Sequence, residues 1–322
     1  MKPKIYVTRK LPDVIISYLS NECEVRMWDK EDEPVPPEIL AEEIEEVDGL
    51  LCLLTETIDE RLLGKGRNLK VVSNMAVGYN NIDIQAAKSK GVQVTNTPGV
   101  LTETTADLTF GLLIATARRF EESINYVKEG KWKTWSPMGL TGQDIFGATL
   151  GIIGMGDIGE AVASRAKGFK MNVLYHNRKR KIAAEETLGA AYRELDDLLT
   201  ESDFVVVLTP YTPQTHDLIS YKELALMKPT SILINTSRGG IVNEEALYQA
   251  LLEKKIYAAG LDVFEQEPVS LTHPLLQLPN VTALPHIGSA SVTTRMKMAK
   301  LAAFNLLEAL QHRTPPNLVV TV

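Results

Sequence analysis

The stretch ATLGIIGMGDIG, from Ala148 to Gly159, decides the fold. It begins as a short apolar strand, ends as Gly-x-Gly-x-x-Gly, and leads into an amphipathic helical pattern. Gly154 permits a tight turn out of the strand, Gly156 has no Cβ to keep a pyrophosphate from the backbone, and Gly159 lets the helix pack closely. The stretch therefore predicts a strand, turn and helix that bind a dinucleotide. The alternative is a glycine-rich turn without a ligand.

The predicted dinucleotide contacts are the residues of this turn and of the helix start. The first N–H groups of a helix have no partner inside the helix, and they attract an anion. The contacts are Gly154, Met155, Gly156, Asp157, Ile158 and Gly159.

Composition limits what a chain of 322 residues can do. Hydrophobic residues make up 44% and charged residues 23%, which is typical of a globular protein of two domains. The net charge of −7 argues against a nucleic-acid surface, and no apolar run approaches the length that spans a membrane. Cys23 and Cys52 lie in no motif, and no apolar signal region precedes the first strand. We therefore predict a reducing, cytoplasmic location.

Strands and helices alternate through the first 98 residues. Strands are predicted at 4–9, 23–28, 49–54, 69–74 and 92–96, and helices at 11–19 and 36–46. This alternation is typical of βαβ units in a parallel sheet. After Pro98, one long helix is predicted over 102–120, and its apolar residues cover so much of its circumference that it belongs in a core or a subunit interface.

A second sheet is predicted around the glycine stretch. Its strands are expected at 149–153, 172–176, 204–209, 231–236, 257–261 and 281–284, and its helices at 158–169, 182–188, 195–200, 222–227 and 244–254. The helix predicted at 292–311 comes after this sheet is complete, so we expect it to return to the first domain.

Two polar side chains follow predicted strands, at the sheet edge where open α/β sheets bind ligands. Arg238, in NTSRGG at 235–240, carries a planar fork of donors suited to a carboxylate, although a surface salt bridge is the alternative. His286, in LPHIGSA at 284–290, is suited to acid/base work near neutral pH, although it could merely bind a loop carbonyl.

Two further segments carry weaker signals. Glu267, in GLDVFEQEP at 260–268, also follows a strand, but spacing alone does not identify it as the partner of His286. MAVGYNNID at 75–83 is a turn whose N–H groups could hold a carboxylate, or a plain connection. No His, Cys, Asp and Glu residues have the spacing of metal ligands, so no metal is expected.

Five segments, in this order, resemble the D-isomer-specific 2-hydroxyacid dehydrogenases, and most of all their glyoxylate/hydroxypyruvate reductase branch. They are VGYNNID (77–83), GMGDIG (154–159), NTSRG (235–239), DVFEQEP (262–268) and PHIGS (285–289). The resemblance covers nearly the whole chain. It implies an α/β fold of two Rossmann-like domains: a flavodoxin-like substrate domain built from both chain ends, residues 1–98 and 288–322, and a dinucleotide-binding domain, residues 99–287.

The resemblance also implies roles for residues. His286 would donate a proton to the keto oxygen as hydride arrives, Glu267 would orient His286 and stabilise its protonated form, and Arg238 would bind the substrate carboxylate. The implied substrate-binding residues are Val77, Gly78, Trp135, Arg238, His286 and Ser289, and the further cofactor contacts are Thr209, Pro210, Thr215, Thr236, Asp262 and Gly288. A homodimer is implied through residues 102–128, with Trp135 near the partner's active site.

The end of the second dinucleotide-domain strand indicates the cofactor. An NAD enzyme usually places an acid near Asn177, but here four basic residues follow instead: Arg178, Lys179, Arg180 and Lys181. Positive charge at a helix start is unfavourable, and a 2′-phosphate would compensate for it. We therefore predict Asn177, Arg178, Lys179 and Arg180 as cofactor contacts and a preference for NADP(H), with NAD(H) possible. The alternative is a solvated basic run.

These observations predict an oxidoreductase that reduces glyoxylate or hydroxypyruvate to glycolate or D-glycerate with NAD(P)H. One alternative keeps the enzyme class and changes the substrate to another D-2-hydroxy acid, such as D-lactate, phosphoglycerate or a sugar acid. The other is a dinucleotide-sensing binding protein of the same fold.

Overall fold

The computed structural model describes residues 2–320, in which the chain forms thirteen strands and twelve α-helices. The strands are β1 (Lys4–Val7), β2 (Glu24–Met27), β3 (Gly49–Cys52), β4 (Val71–Asn74), β5 (Gln93–Thr95), β6 (Thr149–Ile153), β7 (Asn172–His176), β8 (Ala191–Tyr192), β9 (Phe204–Val207), β10 (Ile232–Asn235), β11 (Ala258–Leu261), β12 (Val281–Ala283) and β13 (Leu318–Val320). The helices are α1 (Asp13–Ser20), α2 (Pro37–Glu43), α3 (Glu60–Lys65), α4 (Ile84–Ser89), α5 (Thr102–Ala117), α6 (Phe120–Lys128), α7 (Asp157–Ala166), α8 (Ile182–Leu188), α9 (Leu195–Glu201), α10 (Tyr221–Leu226), α11 (Glu244–Leu252) and α12 (Val292–Leu310).

The chain divides into two compact units. The first unit comprises Met1–Leu101 and Ser291–Val322, and the second comprises Thr102–Ala290. The sequence places the two domain boundaries at 98/99 and 287/288. The structure places each boundary three residues later, at 101/102 and 290/291. The final helix, α12, packs on β3, β4 and β5 of the first unit.

The first unit is built on a sheet with the strand order β13-β5-β4-β3-β1-β2. Strands β1 to β5 are parallel and follow the flavodoxin-like order 2-1-3-4-5. Strand β13 pairs antiparallel with β5. The apolar residues of β3, from Leu50 to Cys52, are buried because helices cover both faces of the sheet.

The second unit is built on a parallel sheet with the order β12-β11-β10-β9-β6-β7-β8. This is the Rossmann order, in which the first strand of the unit, β6, lies inside the sheet and leads into the glycine turn and α7. Phe204 to Val207 of the neighbouring β9 are buried, as the continuous apolar run predicts. The predicted α/β class with two Rossmann-like sheets is therefore confirmed.

Side-chain caps set several helix starts. Asp59, Asp83, Asn243 and Ser291 each accept a hydrogen bond from the backbone N–H three residues later, at the starts of α3, α4, α11 and α12. These bonds satisfy donors that the helices leave open, and they fix where each helix leaves its loop.

The long helix predicted over 102–120 is wrong at its C-terminal end. Helix α5 ends at Ala117, and α6 begins three residues later, after Arg119 adopts a left-handed φ of 53°. The carbonyl of Ala117 accepts from the Gln143 N–H at 2.9 Å, so a distant loop caps the helix end. Among the described residues, no helix combines the length and apolar character needed to cross a membrane.

Candidate active site

The glycine turn between β6 and α7 has the geometry that its spacing predicts. Gly154 has a φ of 105°, and a Cβ there would lie 2.6 Å from the Thr209 backbone nitrogen. A Cβ on Gly159 would lie 2.5 Å from the Gly154 carbonyl oxygen, so the third glycine is what lets α7 pack on the turn. A Cβ on Gly156 would meet nothing within 4 Å. Open space therefore lies at the start of α7, where a pyrophosphate fits.

Asn177 has a structural partner. Its Oδ1 accepts from the Met155 N–H at 2.7 Å, and its Nδ2 donates to the Met155 carbonyl at 3.3 Å. Its side chain therefore braces the glycine turn. Any contribution from this region to a ribose or a 2′-phosphate must come from the residues that follow.

Half of the basic run is already neutralised. Arg180 donates from Nε to Glu185 at 3.0 Å, and Lys181 forms an ion pair with Glu160. The positive charge at the start of α8 is therefore largely compensated within the protein, which weakens the argument from the helix dipole. The two preceding bases are exposed and form no ion pair with any described residue.

Arg238 lies in a tight turn at the end of β10. Asn235 closes this turn: its Nδ2 donates to the Arg238 carbonyl at 3.0 Å, and its Oδ1 accepts from the Ser237 N–H at 3.1 Å. A Cβ on Gly239 would lie 1.9 Å from the Phe264 carbonyl oxygen. Only glycine therefore lets the Arg238 turn approach the loop that follows β11.

His286 and Glu267 form a hydrogen-bonded pair. The Nδ1 of His286 lies 2.6 Å from Oε2 of Glu267, and the two side chains are 22% and 30% exposed. The other carboxylate oxygen, Oε1, accepts from the Phe264 N–H at 3.0 Å. His286 has a left-handed φ of 54°, which is unusual for a residue with a Cβ and is held by the bond from its N–H to the Asp262 carbonyl.

The charges around Glu267 keep it ionised. Burial raises the pKa of Glu267, but the hydrogen bond and charge of His286, the Phe264 amide and the charge of Arg238 outweigh burial and lower that pKa below its ordinary value. Burial lowers the pKa of Arg238, and the Glu267 charge opposes the change. An ionised carboxylate only accepts hydrogen bonds, so Nδ1 of His286 carries a proton and Nε2 is left to exchange one.

Asp262 follows β11 with a buried carboxylate. Its Oδ1 accepts from the Ile287 N–H at 2.7 Å, and among residues 2–320 its Oδ2 has no partner. Burial raises the pKa of Asp262, against the Ile287 amide, the His286 charge and the Gly288 amide, which lower it. A buried acceptor without a partner fits the carboxamide of a nicotinamide. Ser289, next along the chain from Gly288, is partly buried.

The remaining predicted cofactor contacts have partners within the second unit. Thr236 Oγ1 lies 2.7 Å from Thr109 Oγ1, and the Thr215 hydroxyl donates to the Pro210 carbonyl at 2.8 Å. Trp135 is 78% exposed. The two threonine side chains are held by hydrogen bonds to their own neighbours. Within the described part of the chain, Trp135 does not contact the residues at the strand ends.

In the first unit, the turn after β4 has two fixed carbonyls and two open amides. Asn96 donates to the Val77 carbonyl at 2.8 Å, and Asn74 donates to the Gly78 carbonyl at 2.9 Å. The N–H groups of Val77 and Gly78 donate to no acceptor among the described residues. Such a turn makes a suitable binding site for a carboxylate.

Sequence reasoning gave no role to Phe264, Asn235 or Thr109. Asn235 carries a usable signal, because an Asn at a strand end that precedes a turn often bonds the backbone of that turn. Phe264 contributes a backbone N–H, and Thr109 pairs with a residue 127 positions away, so neither leaves a local pattern.

Comparison with known proteins identifies the family of the chain. Residues 110–288 match the family model described as D-isomer specific 2-hydroxyacid dehydrogenase, NAD binding domain. The chain is 49% identical over 323 residues to a glyoxylate reductase of Pyrococcus horikoshii, with 99% of this chain and 96% of the relative covered. A solved structure from Thermus thermophilus has a TM-score of 0.92 and 43% identity, with 98% of this chain and 100% of that one covered.

The chain therefore belongs to the D-isomer specific 2-hydroxyacid dehydrogenases and is an NAD(P)-dependent dehydrogenase. The chain is also similar to the solved structure of the NADPH-dependent glyoxylate/hydroxypyruvate reductase of Sinorhizobium meliloti in complex with NADP and malonate. That structure has a TM-score of 0.85 and 32% identity, and the match covers 99% of this chain and 97% of the other.

Proposed function

We propose that this protein reduces glyoxylate and hydroxypyruvate to the corresponding 2-hydroxy acids, with NADPH preferred over NADH. The observation that carries the proposal is the His286–Glu267 pair, whose Nδ1 to Oε2 distance is 2.6 Å. Relatives at 46% to 49% identity named glyoxylate reductase support the choice of substrate. Hydroxypyruvate rests on the name of the Sinorhizobium meliloti relative.

Each residue of the site has a defined task in this proposal. When bound, the nicotinamide supplies the hydride that reaches the keto carbon. His286, protonated on both nitrogens, gives the Nε2 proton to the keto oxygen, so that the carbonyl becomes an alcohol. Glu267 stabilises the positive imidazolium before the transfer, and Arg238 binds the substrate carboxylate. Asp262, whose buried Oδ2 has no partner among the described residues, would hold the nicotinamide end of the cofactor.

The turn after β4 in the first unit offers backbone donors for a carboxylate. The open amides of Val77 and Gly78 are the proposed donors, because Asn96 and Asn74 already fix the carbonyls beside them. Backbone donors of this kind hold an anion without a titratable group.

The preference for NADPH rests on Arg178 and Lys179. They follow Asn177 at the end of β7, where an NAD enzyme usually has an acid, and neither is neutralised by a described neighbour. We expect Arg178→Ala to raise KM for NADPH at least about tenfold and to change KM for NADH little, because a charge-assisted bond to phosphate contributes about 1.5–3 kcal/mol. Arg180→Ala is the matched control, since Arg180 is already paired with Glu185. Equal effects of Arg178→Ala on both cofactors would refute this preference.

We also propose a homodimer through α5, α6 and the segment that follows. In the single chain, seven large apolar side chains between residues 120 and 146 are exposed: Phe120, Ile124, Val127, Trp132, Trp135, Met138 and Phe146. A second copy of this chain would cover them. Sedimentation should give twice the chain mass of 35.6 kDa. Trp135→Ser should weaken the dimer, whereas Leu271→Ser, at an 88% exposed residue elsewhere, should not.

A cytoplasmic location agrees with the state of the cysteines. Cys23 and Cys52 are both free thiols in the interior. Burial raises the pKa of the Cys23 thiol to about 11 and that of Cys52 well above its ordinary value, so neither serves as a nucleophile near neutral pH.

A steady-state assay of nicotinamide oxidation tests the function. Glyoxylate, hydroxypyruvate and pyruvate are each supplied with NADPH and with NADH. Fast oxidation of NADPH with the first two substrates supports the proposal. Turnover only with the 2-keto acids that correspond to D-lactate, phosphoglycerate or a sugar acid would keep the enzyme family and change the substrate. Tight cofactor binding without turnover of any 2-keto acid would favour the sensing protein.

A further inference from the structure

The loop that carries Glu267 is exposed. The loop follows β11, and its residues from Glu265 to Pro268 are on the surface. A carboxylate that must meet His286 at 2.6 Å needs that loop to hold one conformation. The Phe264 amide helps within the loop, but it binds Glu267 itself and does not tie the loop to the rest of the unit.

The tie comes from Glu244, the first residue of α11. Its Oε1 accepts from the Glu265 N–H at 2.7 Å, and its Oε2 lies 3.0 Å from Nε2 of His273. The Glu244 and His273 side chains are 16% and 23% exposed. Asn243 caps the same helix, so the carboxylate is fixed to a rigid element and lies at the favourable end of the helix dipole.

The hydrogen bonds of His273 define its tautomer. The Leu275 N–H donates to Nδ1 of His273 at 3.3 Å, so Nδ1 carries no proton. Nε2 then carries the proton and donates it to Glu244. Both ring nitrogens are engaged, whereas the corresponding Nε2 of His286 is not engaged by Glu267. His273 is therefore a tether and has no nitrogen left for proton transfer.

We propose that Glu244 and His273 are positioning residues for the catalytic pair. One carboxylate holds Glu265 from one side and His273 from the other, and so closes the segment between them around Glu267. The same segment adjoins the Phe264 carbonyl, against which Gly239 and the Arg238 turn pack. This inference rests on the proposed function, because the contacts of Glu244 with Glu265 and His273, called the brace below, have a purpose only if the Glu267–His286 pair is catalytic.

Two substitutions of His273 separate the tether from the rest of the side chain. In His273→Gln, the amide Nε2 still reaches Glu244 as a donor, but the acceptor for Leu275 is lost. In His273→Asn, Oδ1 still accepts from Leu275, but the donor to Glu244 is lost. The two variants carry the same amide group, and each keeps a different one of the two hydrogen bonds of His273.

The readout is the pH profile of kcat/KM for glyoxylate with saturating NADPH. We expect His273→Asn to lose about tenfold at pH 8 and about twofold or less at pH 5.5, because a displaced Glu267 stabilises the imidazolium of His286 less well. His273→Gln should stay within about threefold of the parent at both pH values. The charged groups facing Glu267 are His286, Arg238 and Asp262, and all three are unchanged in these variants.

A failure of the positioning role and a failure of the proposed catalytic pair give different results. Equal loss in the two variants, or parent-like profiles in both, would overturn the brace. A parent-like pH profile for Glu267→Gln would overturn the catalytic pair instead. NADPH affinity, measured by fluorescence, should be unchanged, which shows that the unit has folded. If His273→Asn does not fold, Glu244→Gln serves, since glutamine has one oxygen for the two donors, the Glu265 N–H and the Nε2–H of His273, so one of the two contacts is lost and the same pH-dependent loss is expected.

Discussion

Replacing Glu267 with glutamine should produce a loss of activity that depends on pH. The carboxylate accepts two hydrogen bonds with two different oxygens, from His286 at 2.6 Å and from the Phe264 N–H at 3.0 Å. Glutamine has one oxygen, so one of the two donors must face an NH₂ group. The variant also removes the charge that stabilises the protonated imidazole of His286.

The size of the effect follows from the geometry of the pair. Two charges about 4 Å apart interact by about 4 kcal/mol at an effective dielectric constant of 20 and by about 1 kcal/mol in water. Because the two side chains are 22% and 30% exposed, a value of about 2 kcal/mol is appropriate. This corresponds to about 30-fold in kcat/KM at the pH values where the charge of Glu267 is needed to keep the proton on His286.

The assay is NADPH oxidation with glyoxylate from pH 5 to pH 9. Because acid solution itself favours the protonated imidazole, the loss in Glu267→Gln should shrink toward pH 5, to within about threefold of the parent. His286→Asn is the control for loss of the acid itself, because Asn tolerates the left-handed φ of this position better than Ala does. A loss of equal size at every pH would refute the reasoning, since it would mean that Glu267 does not act through the charge on His286.

Three further outcomes are expected. Gly239→Ala should lower the apparent Tm by about 5 °C, because its Cβ would lie 1.9 Å from the Phe264 carbonyl oxygen and overpacking costs about 1–3 kcal/mol. Gly156→Ala should leave the Tm without cofactor unchanged and weaken NADPH binding, because its Cβ enters only open space; an unchanged NADPH Kd by fluorescence would contradict the pyrophosphate position. The pKa of Glu267 is lowered in the folded state, so its contribution to stability is present above the ordinary glutamate pKa and is lost as the pH falls through the folded value. Thermal scans from pH 3 to pH 6 should therefore show the parent's advantage over Glu267→Gln vanish at the acid end.

The parts of this site that the sequence predicts are those with a local cause. The glycine spacing determines the turn because each glycine answers a clash or a φ within the motif and its neighbouring strand, as Gly154 and Gly159 show. Strand ends place Arg238 and His286 on one edge of a parallel sheet, so the sequence alone predicts that edge as the site.

The parts that the sequence does not predict depend on contacts over long separations. Glu160 neutralises Lys181 from 21 positions away, so the basic run looks less compensated in the sequence than it is in the fold. The break after α5 depends on Gln143, which reaches back to Ala117. The strand β8 has two residues, too few for any periodicity to register.

The pairing of Glu267 with His286 belongs to this second group, and it shows why resemblance and geometry are separate arguments. The two residues are 19 positions apart, and an acid on an exposed loop is ordinarily solvated. What makes this acid different is its surroundings: a neighbouring amide on its second oxygen, the nearby Arg238 cation, and a loop tied to α11 through Glu244. Each of these contacts restricts the carboxylate to the conformation in which it meets Nδ1. The chemistry of the pair therefore depends on the loop as much as on the two side chains.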